Sequence, residues 1–257
     1  MKAVRNENLN QILFIDIETA PQWQTLAEAP DYVQKEWIYK FKFREGAPKK
    51  PDPSKNPNDD QEYIRKKYFQ YFADLWDEQA GLFAEFSKII CISAGYVVGG
   101  TLRLTSFFDA SEAALLGRFA DVLKQLQASG FKVCAHYGKG FDFPFTAKRM
   151  LIHRMNLPYL LDFAGLKPWE IPALDTHEIW KMGNFQGGGT LGSIAMAFGI
   201  ASPKDDIEGS DVARCYYGGE IDRIVTYCEK DVVTLYKVFK AMRGEDIENI
   251  NVEKIVL

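Results

Sequence analysis

The chain has 257 residues, 47% hydrophobic and 26% charged, which is the composition of a globular protein rather than a fibrous or disordered one. Its formal net charge of −4 gives no global sign of nucleic-acid binding, although a site that holds cations neutralises phosphates locally. No run approaches the ~18 apolar residues of a membrane span, and the opening MKAVRNENLN lacks the apolar stretch of a secretion signal, so a cytoplasmic location with no membrane partner is expected.

The first clear element is QILFIDIETAP, Gln11 to Pro21, which reads as a β-strand. Asp16 and Glu18 are two residues apart and so lie on one face, roughly 6–7 Å apart along the strand. Acids are almost never buried unless paired, so this strand end is either exposed or awaits a cation. A stretch of different texture follows, about 22–85. Its middle, GAPKKPDPSKNPNDDQ, has no apolar period and reads as a loop or disordered segment. The flank EYIRKKYFQYFADLW reads as a helix, with Tyr68, Phe69, Phe72, Leu75 and Trp76 at three- and four-residue intervals.

KIICISAGYVVGGTLRLTSFF is a hairpin pattern, two β-rich runs about Gly99-Gly100. SEAALLGRFADVLKQL is an amphipathic helix, capped by Asp109 or Ser111 and stopped by Gly130. FKVCAHY resumes as a strand, a helix begins near Asp142 and runs to about Arg154, and IPALDTHEIW gives a short strand ending at Asp175 and then a helix. After a glycine-rich loop and a short helix comes a long helix, Gly219 to about Met242, with the stripe Ile221, Ile224, Val225, Cys228, Val232, Leu235 and Phe239. The order describes a mixed α/β domain. The four cysteines form no CxxC pair and read as reduced core thiols, and the three histidines are too dispersed for a zinc site by spacing.

Three segments carry acids in suggestive settings: Asp16 and Glu18 in DIET, Asp142 in YGKGFDFPFTAKR, and Asp231 in YCEKD, four residues after Tyr227 and on the same helical face. Singly, each has a plain structural reading: Asp142 as a helix cap, Asp231 as a solvated acid, Tyr227 as a surface tyrosine.

Together and in this order, FIDIET, FDFPFTAKR and YCEKDV resemble the motifs of the DEDD family of 3′–5′ exonucleases. Tyr227, four before the last acid, marks the tyrosine-bearing DEDDy branch; the histidine branch would carry His at position 226, where this chain has Thr226. SPKDDIEGSDVARCYYGGEIDRIVTYCEKDV and GLFAEFSKIICISAGY resemble the bacterial proteins related to the proofreading exonuclease domain of family B DNA polymerases. The resemblance implies a ribonuclease H-like fold, a five-stranded mixed sheet with one antiparallel strand and helices on both faces, over a single domain 1–257 with the 22–85 insertion after the first strand. It implies two Mg²⁺ or Mn²⁺ ions, hard cations suited to carboxylates. Asp16 would bridge both, Glu18 and Asp231 would complete one site, Asp142 would hold the other through water, and Tyr227 would position the attacking water. Thr19, Ala20, Tyr137, Lys139 and Phe141 are expected to meet substrate, with Lys148 and Arg149 as further phosphate contacts; packing is the competing reading for Phe141, and a solvated face for the bases. Asp175 is expected to be structural.

Tyr137 departs from the pattern, because family members commonly carry Asn there, and tyrosine lacks the amide's paired acceptor and donors. The implied activity is metal-dependent 3′–5′ hydrolysis of nucleic acid, preferably single-stranded DNA, with replication or repair proteins as partners since no polymerase domain follows. A 3′–5′ exoribonuclease and a catalytically weak nucleic-acid-binding module of the same fold are the alternatives. A phosphate-loop NTPase fits poorly, since NFQGGGTLG lacks the Lys-Ser/Thr ending. In the insertion, Trp37, Tyr39, Phe41 and Phe43 interleave with Lys40, Lys42 and Arg44, a pattern open both to a substrate clamp and to a lid packing its own aromatics.

Overall fold

A computed structural model describes residues 2–52, 54, 60–201 and 206–256. Part of the polar stretch read as a loop (53 and 55–59) and the start of the SPKDD signature (202–205) lie outside the described residues. In chain order the elements are α1 (Lys2–Arg5), β1 (Ile12–Pro21), α2 (Asp31–Phe41), α3 (Gln61–Gln79), β2 (Ser87–Val98), β3 (Thr101–Phe107), α4 (Glu112–Gln127), β4 (Lys132–Ala135), α5 (Asp142–Ile152), β5 (Leu174–Asp175), α6 (Thr176–Lys181), α7 (Leu191–Ala197), α8 (Val212–Tyr217), α9 (Ile221–Arg243) and β6 (Asn251–Lys254). They fall into two compact units, Met1–Glu18 with Ile89–Leu257, and Thr19–Lys88.

The expected mixed sheet flanked by helices is present, in the order β5-β4-β1-β2-β3-β6. β4 runs parallel to β1 and to β5, whereas β2 and β3 form an antiparallel hairpin. Gly99 and Gly100 take φ of 58° and 83°, the left-handed pair that a two-residue primed turn requires. The sheet gains one strand over the expected five: β6 pairs in parallel with β3 at the edge, and all four of its residues are exposed.

β1 lies in the middle of the sheet, and its first four residues, Ile12 to Ile15, are all buried. A central strand covered on both faces reads as a continuous apolar run, and alternation matters only where its acids begin. Phe14 meets Tyr236 and Phe239 of α9 edge-on, with centroids 5.3 and 5.4 Å away. These rings belong to the core that joins β1, β3, α7 and α9, with Val232, Leu235 and Val238 fully or almost fully buried. The contact fixes α9 beside β1, so residues one and two turns before Tyr236 face the strand's acidic half.

A buried ion pair ties three further elements together. Glu112, in the first turn of α4 behind the Ser111 cap, accepts from Arg149 of α5 at 2.8 and 2.5 Å, from His153 at 2.7 Å and from the Ile89 amide of β2 at 2.7 Å. Burial alone would raise this carboxyl, but the bonds from Arg149, His153 and Ile89 hold it below its usual range. Arg149 is 3% exposed and committed to Glu112, which corrects the expectation that it meets phosphate. A charge so enclosed is satisfied inside the protein.

The Thr19–Lys88 unit has a core of its own, built from Leu26, Val33, Trp37, Phe72, Leu75, Trp76 and Phe86. Trp37 Nε1–H donates to the Phe72 carbonyl at 2.8 Å, and its ring meets Trp76 and Phe86 edge-on. The interleaved bases and aromatics lie on or just beyond helix α2, where residues two apart do not share a face. Trp37 and Phe41 accordingly turn inward, while Tyr39 and Phe43 stay exposed with the Lys42 ammonium 3.8 and 4.7 Å from their ring centres.

Candidate active site

Three elements bring the acids together. β1 supplies Asp16 and Glu18, the first residue of α5 supplies Asp142, and α9 supplies Tyr227 and Asp231. Glu18 and Asp142 are 8% and 4% exposed, and Asp16 and Asp231 are partly buried. The four acids sense one another. Burial raises the Asp16 carboxyl well above its normal range, and the charges of Asp231, Glu18 and Asp142 raise it further. Glu18 is raised by burial and then by Asp231, Cys91 and Asp142. Asp142 is pushed up to about 7, chiefly by burial, with Asp175 and Asp231 adding to it; its own amide and that of Ile17 donate to the carboxylate and oppose the rise. That Ile17 amide lies between the two β1 acids, so the strand backbone itself locates Asp142.

Tyr227 is 7% exposed, and its hydroxyl donates to Asp231. Burial first, then the Asp231, Glu18 and Asp16 charges, move its ionisation far above the ordinary 10. Tyr227 therefore stays a neutral hydroxyl near neutral pH.

Cys228 was expected only as part of the α9 stripe, yet it belongs to the cluster. Its Sγ lies 3.3 Å from Asp16 Oδ2 and 3.4 Å from the Asp16 carbonyl oxygen. One donor atom from each of Asp16, Glu18 and Cys228 falls within 4.8 Å of the others. Burial and contact with Cys91 raise the thiol's pKa, so it stands as an S–H donor that orients Asp16. Its sequence signal was proximity alone, since it is next to Tyr227 and three before Asp231. All four cysteines are free and buried.

The donor set fits a hard divalent cation. Burial and then the charges of neighbouring acids raise Asp16, Glu18 and Asp142, and a cation would relieve the repulsive part of that rise.

The second motif folds as a turn around Asp175. This buried carboxylate accepts from the amides of Tyr137 and Lys139 at 3.0 Å each through its two oxygens, and caps α6 through the His177 and Glu178 amides at 2.9 and 3.4 Å. Its role is structural, as expected. Tyr137 has φ of 63°, the left-handed region that Asn enters readily and a bulky residue does not. An amide side chain at this position therefore satisfies a backbone demand whatever else it does. Gly138 is equally constrained, because a Cβ there would stand 2.5 Å from that of Ala135.

The remaining expected contacts divide. The Lys139 ammonium pairs with Glu178 at 3.0 Å and is 15% exposed. Phe141, half-buried, packs on Phe145 at 5.1 Å. The Thr19 hydroxyl donates to the Gly81 carbonyl at 2.7 Å, and Ala20 is fully buried. Lys148 is exposed. In sequence His136 and His177 are weighed only as zinc ligands and the triple glycine before α7 only as a phosphate loop. His136 Nε2–H donates to the Gly189 carbonyl at 2.8 Å and its Nδ1 bonds the Thr176 hydroxyl at 2.9 Å, while burial lowers its pKa and keeps it neutral. His136, His177 and Gly189 line a cavity of about 520 Å³ with Tyr137, Tyr227 and Asp231.

Residues 82–248 match a family described as a predicted 3′-5′ exonuclease related to the exonuclease domain of PolB. The match includes Asp142, Tyr227 and Asp231 and begins after β1, so Asp16 and Glu18 join them through geometry. No curated protein matches the chain. Among solved structures, it is similar to the family B DNA polymerase from the hyperthermophilic archaeon Pyrobaculum calidifontis, at 13% identity and a TM-score of 0.48 over 87% of this chain and 23% of the polymerase. The chain thus spans about a quarter of that enzyme's length. No helix among the described residues is long and apolar enough to cross a membrane.

Proposed function

Because this chain belongs to the family of predicted 3′-5′ exonucleases related to the exonuclease domain of PolB, we propose that it removes nucleotides from the 3′ end of single-stranded DNA with the help of two divalent cations, Mg²⁺ or Mn²⁺. The observation that supports this most strongly is the convergence of Asp16, Glu18, Asp142 and Asp231, the first three with carboxyls raised by burial and then by neighbouring acids, beside a Tyr227 hydroxyl bonded to Asp231.

Asp16, Glu18, Asp142 and Asp231 would hold the cations through their carboxylates. When bound, such ions neutralise the scissile phosphate and activate water for in-line displacement. The protein's own groups do the rest. Cys228 and the Ile17 amide hold Asp16 and Asp142 in place. Tyr227 donates to Asp231 and keeps acceptor capacity on its oxygen, so it can orient a water without taking its proton. DNA rather than RNA is the proposed substrate, a choice that the RNA version of the strand tests below. Replication or repair proteins are the proposed partners.

The test is a 5′-labelled single strand incubated with Mg²⁺, with Mn²⁺ or with EDTA. A ladder shortening from the 3′ end only with metal, and lost in Asp16→Ala protein that retains its wild-type circular dichroism, supports the assignment. Intact strands that remain bound describe a binding module, and faster shortening of the RNA version describes an exoribonuclease.

A further inference from the structure

The geometry points to a nucleobase platform beside the acid cluster: Tyr137, the residue that replaces the family's amide, stacks on a base at the strand's 3′ end within the cavity that Tyr227 and Asp231 also line. This rests on the exonuclease reading and adds to it a site and a chemical class of ligand.

The backbone at 137 is fixed without the side chain's help, because Asp175 clamps the amides of Tyr137 and Lys139. A tyrosine there costs something in the left-handed region and returns nothing to the turn. Its ring is nevertheless braced. A Cβ on Gly140 would stand 2.6 Å from the ring carbon Cζ, so the ring rests directly on that glycine's backbone. His177 meets it edge-on at 5.0 Å, and His136 meets His177 at 5.5 Å. Despite this support Tyr137 is 52% exposed. A rigid aromatic with packing beneath it and open surface above is the form that stacking on a base requires, and such stacking tolerates any base because every base has a π-face.

The cavity's charge favours a base over a phosphate. The lining offers a phosphate no lysine or arginine among the described residues, and His136 is neutral and bonded on both ring nitrogens. His136 also holds the Gly189 carbonyl, which makes it the positioning residue for the loop that borders the cavity. Only glycine fits at 188 in that loop, since a Cβ there would fall 2.1 Å from His177 Nε2.

The probe is deoxyadenosine, which carries no phosphate and so binds without metal or repulsion. Saturation-transfer NMR on EDTA-treated protein should show saturation on the base protons H2 and H8 in wild type and in Tyr137→Phe. Tyr137→Asn, which suits the backbone better, and Tyr137→Ala should each weaken binding ~5-fold or more. On single strands with Mg²⁺ the same two variants should raise KM while kcat stays within about 2-fold, the signature of lost uniform binding. Absence of saturation in wild type, or binding by Tyr137→Asn and Tyr137→Ala within about 2-fold of wild type, overturns the platform. Strands left whole under every metal condition, together with Tyr137-dependent deoxyadenosine binding, would instead sink the exonuclease reading and leave a nucleoside site standing.

Discussion

Removing one charge from the acid cluster should stabilise the metal-free protein, and only at high pH. Asp142 is the informative position because it is 4% exposed and its carboxyl moves from 3.8 to about 7 on folding. A carboxyl whose folded pKa is raised binds its proton more tightly in the folded state. Its favourable contribution is complete below pH 3.8 and is lost as pH rises through about 7. Above that point the folded protein carries an unwelcome buried charge, worth at most about 4 kcal/mol at 1.36 kcal/mol per pKa unit. At roughly 2–4 °C per kcal/mol for a domain of this size, the ceiling is on the order of 10 °C in Tm. Asp142→Asn keeps an acceptor for the Ile17 amide and discards the charge. Thermal melts in EDTA between pH 5 and 8.5 should give coincident curves at the acid end and a variant that melts several degrees higher at the alkaline end. Millimolar Mg²⁺ should then stabilise wild type more than the variant at pH 8.5. The depressed pKa of buried His136 adds a slope of the opposite sign in the acid range, so the difference between the two proteins is the quantity to read. A difference that does not grow from pH 5 to 8.5 would refute the account of Asp142 as a carboxylate held against its preference.

Tyr227→Phe should slow cleavage by ~10²-fold with little change in KM, the loss appropriate to a group that positions a reactant; single-turnover rates would measure it, and an unchanged rate removes Tyr227 from the chemistry. Arg149→Met should destabilise by up to about 3–5 kcal/mol, because buried Glu112 loses its arginine and keeps only His153 and the Ile89 amide. Urea unfolding would measure that loss, while affinity for a single strand, determined under native conditions, should not move. Cys228→Ser should retain most of the stability and activity, since a hydroxyl can still donate to Asp16, whereas Cys228→Ala should lower metal affinity by roughly tenfold, the scale of a lost supporting bond behind a ligand; isothermal titration with Mn²⁺ would distinguish the two.

Much of this arrangement was legible because the residues concerned obey local rules. The hairpin announced itself through Gly99-Gly100, α9 through its 3.6-residue stripe, and the acids through their pairing on a strand and a helix face. What stayed hidden had no local signature. β6 is four exposed residues, NVEK, held at the sheet edge by pairing with β3 rather than by any apolar alternation of its own. Arg149 looked like a phosphate contact because its partner Glu112 is 37 positions away in the chain. The alternation in α2 is open in sequence both to a clamp and to a lid, and helical geometry divides it between the inside and the outside. His136 and the triple glycine meet through a hydrogen bond spanning 53 positions. The nearest sequence clues were the adjacency of His136 to the second motif and three glycines running into a Thr190-capped helix.

A cluster that repels itself survives because the elements bearing it are fixed elsewhere. Phe14 wedges β1 against Tyr236 and Phe239, so α9 cannot rotate its acid away from Asp16 without breaking a fully buried aromatic contact. Asp142 cannot retreat either, because it opens α5, whose far end is anchored by Arg149 in the Glu112 pair. The turn that leads into α5 is pinned by Asp175. Apolar packing and paired charges outside the cluster thus offset the repulsion within it, and a cation arriving there would meet ligands already in position rather than having to gather them. Weakening the frame should therefore loosen metal binding as surely as removing a ligand. Phe14→Leu, which touches no acid, should raise the Mn²⁺ dissociation constant, and an affinity indistinguishable from wild type would mean that the carboxylates hold their places without that frame.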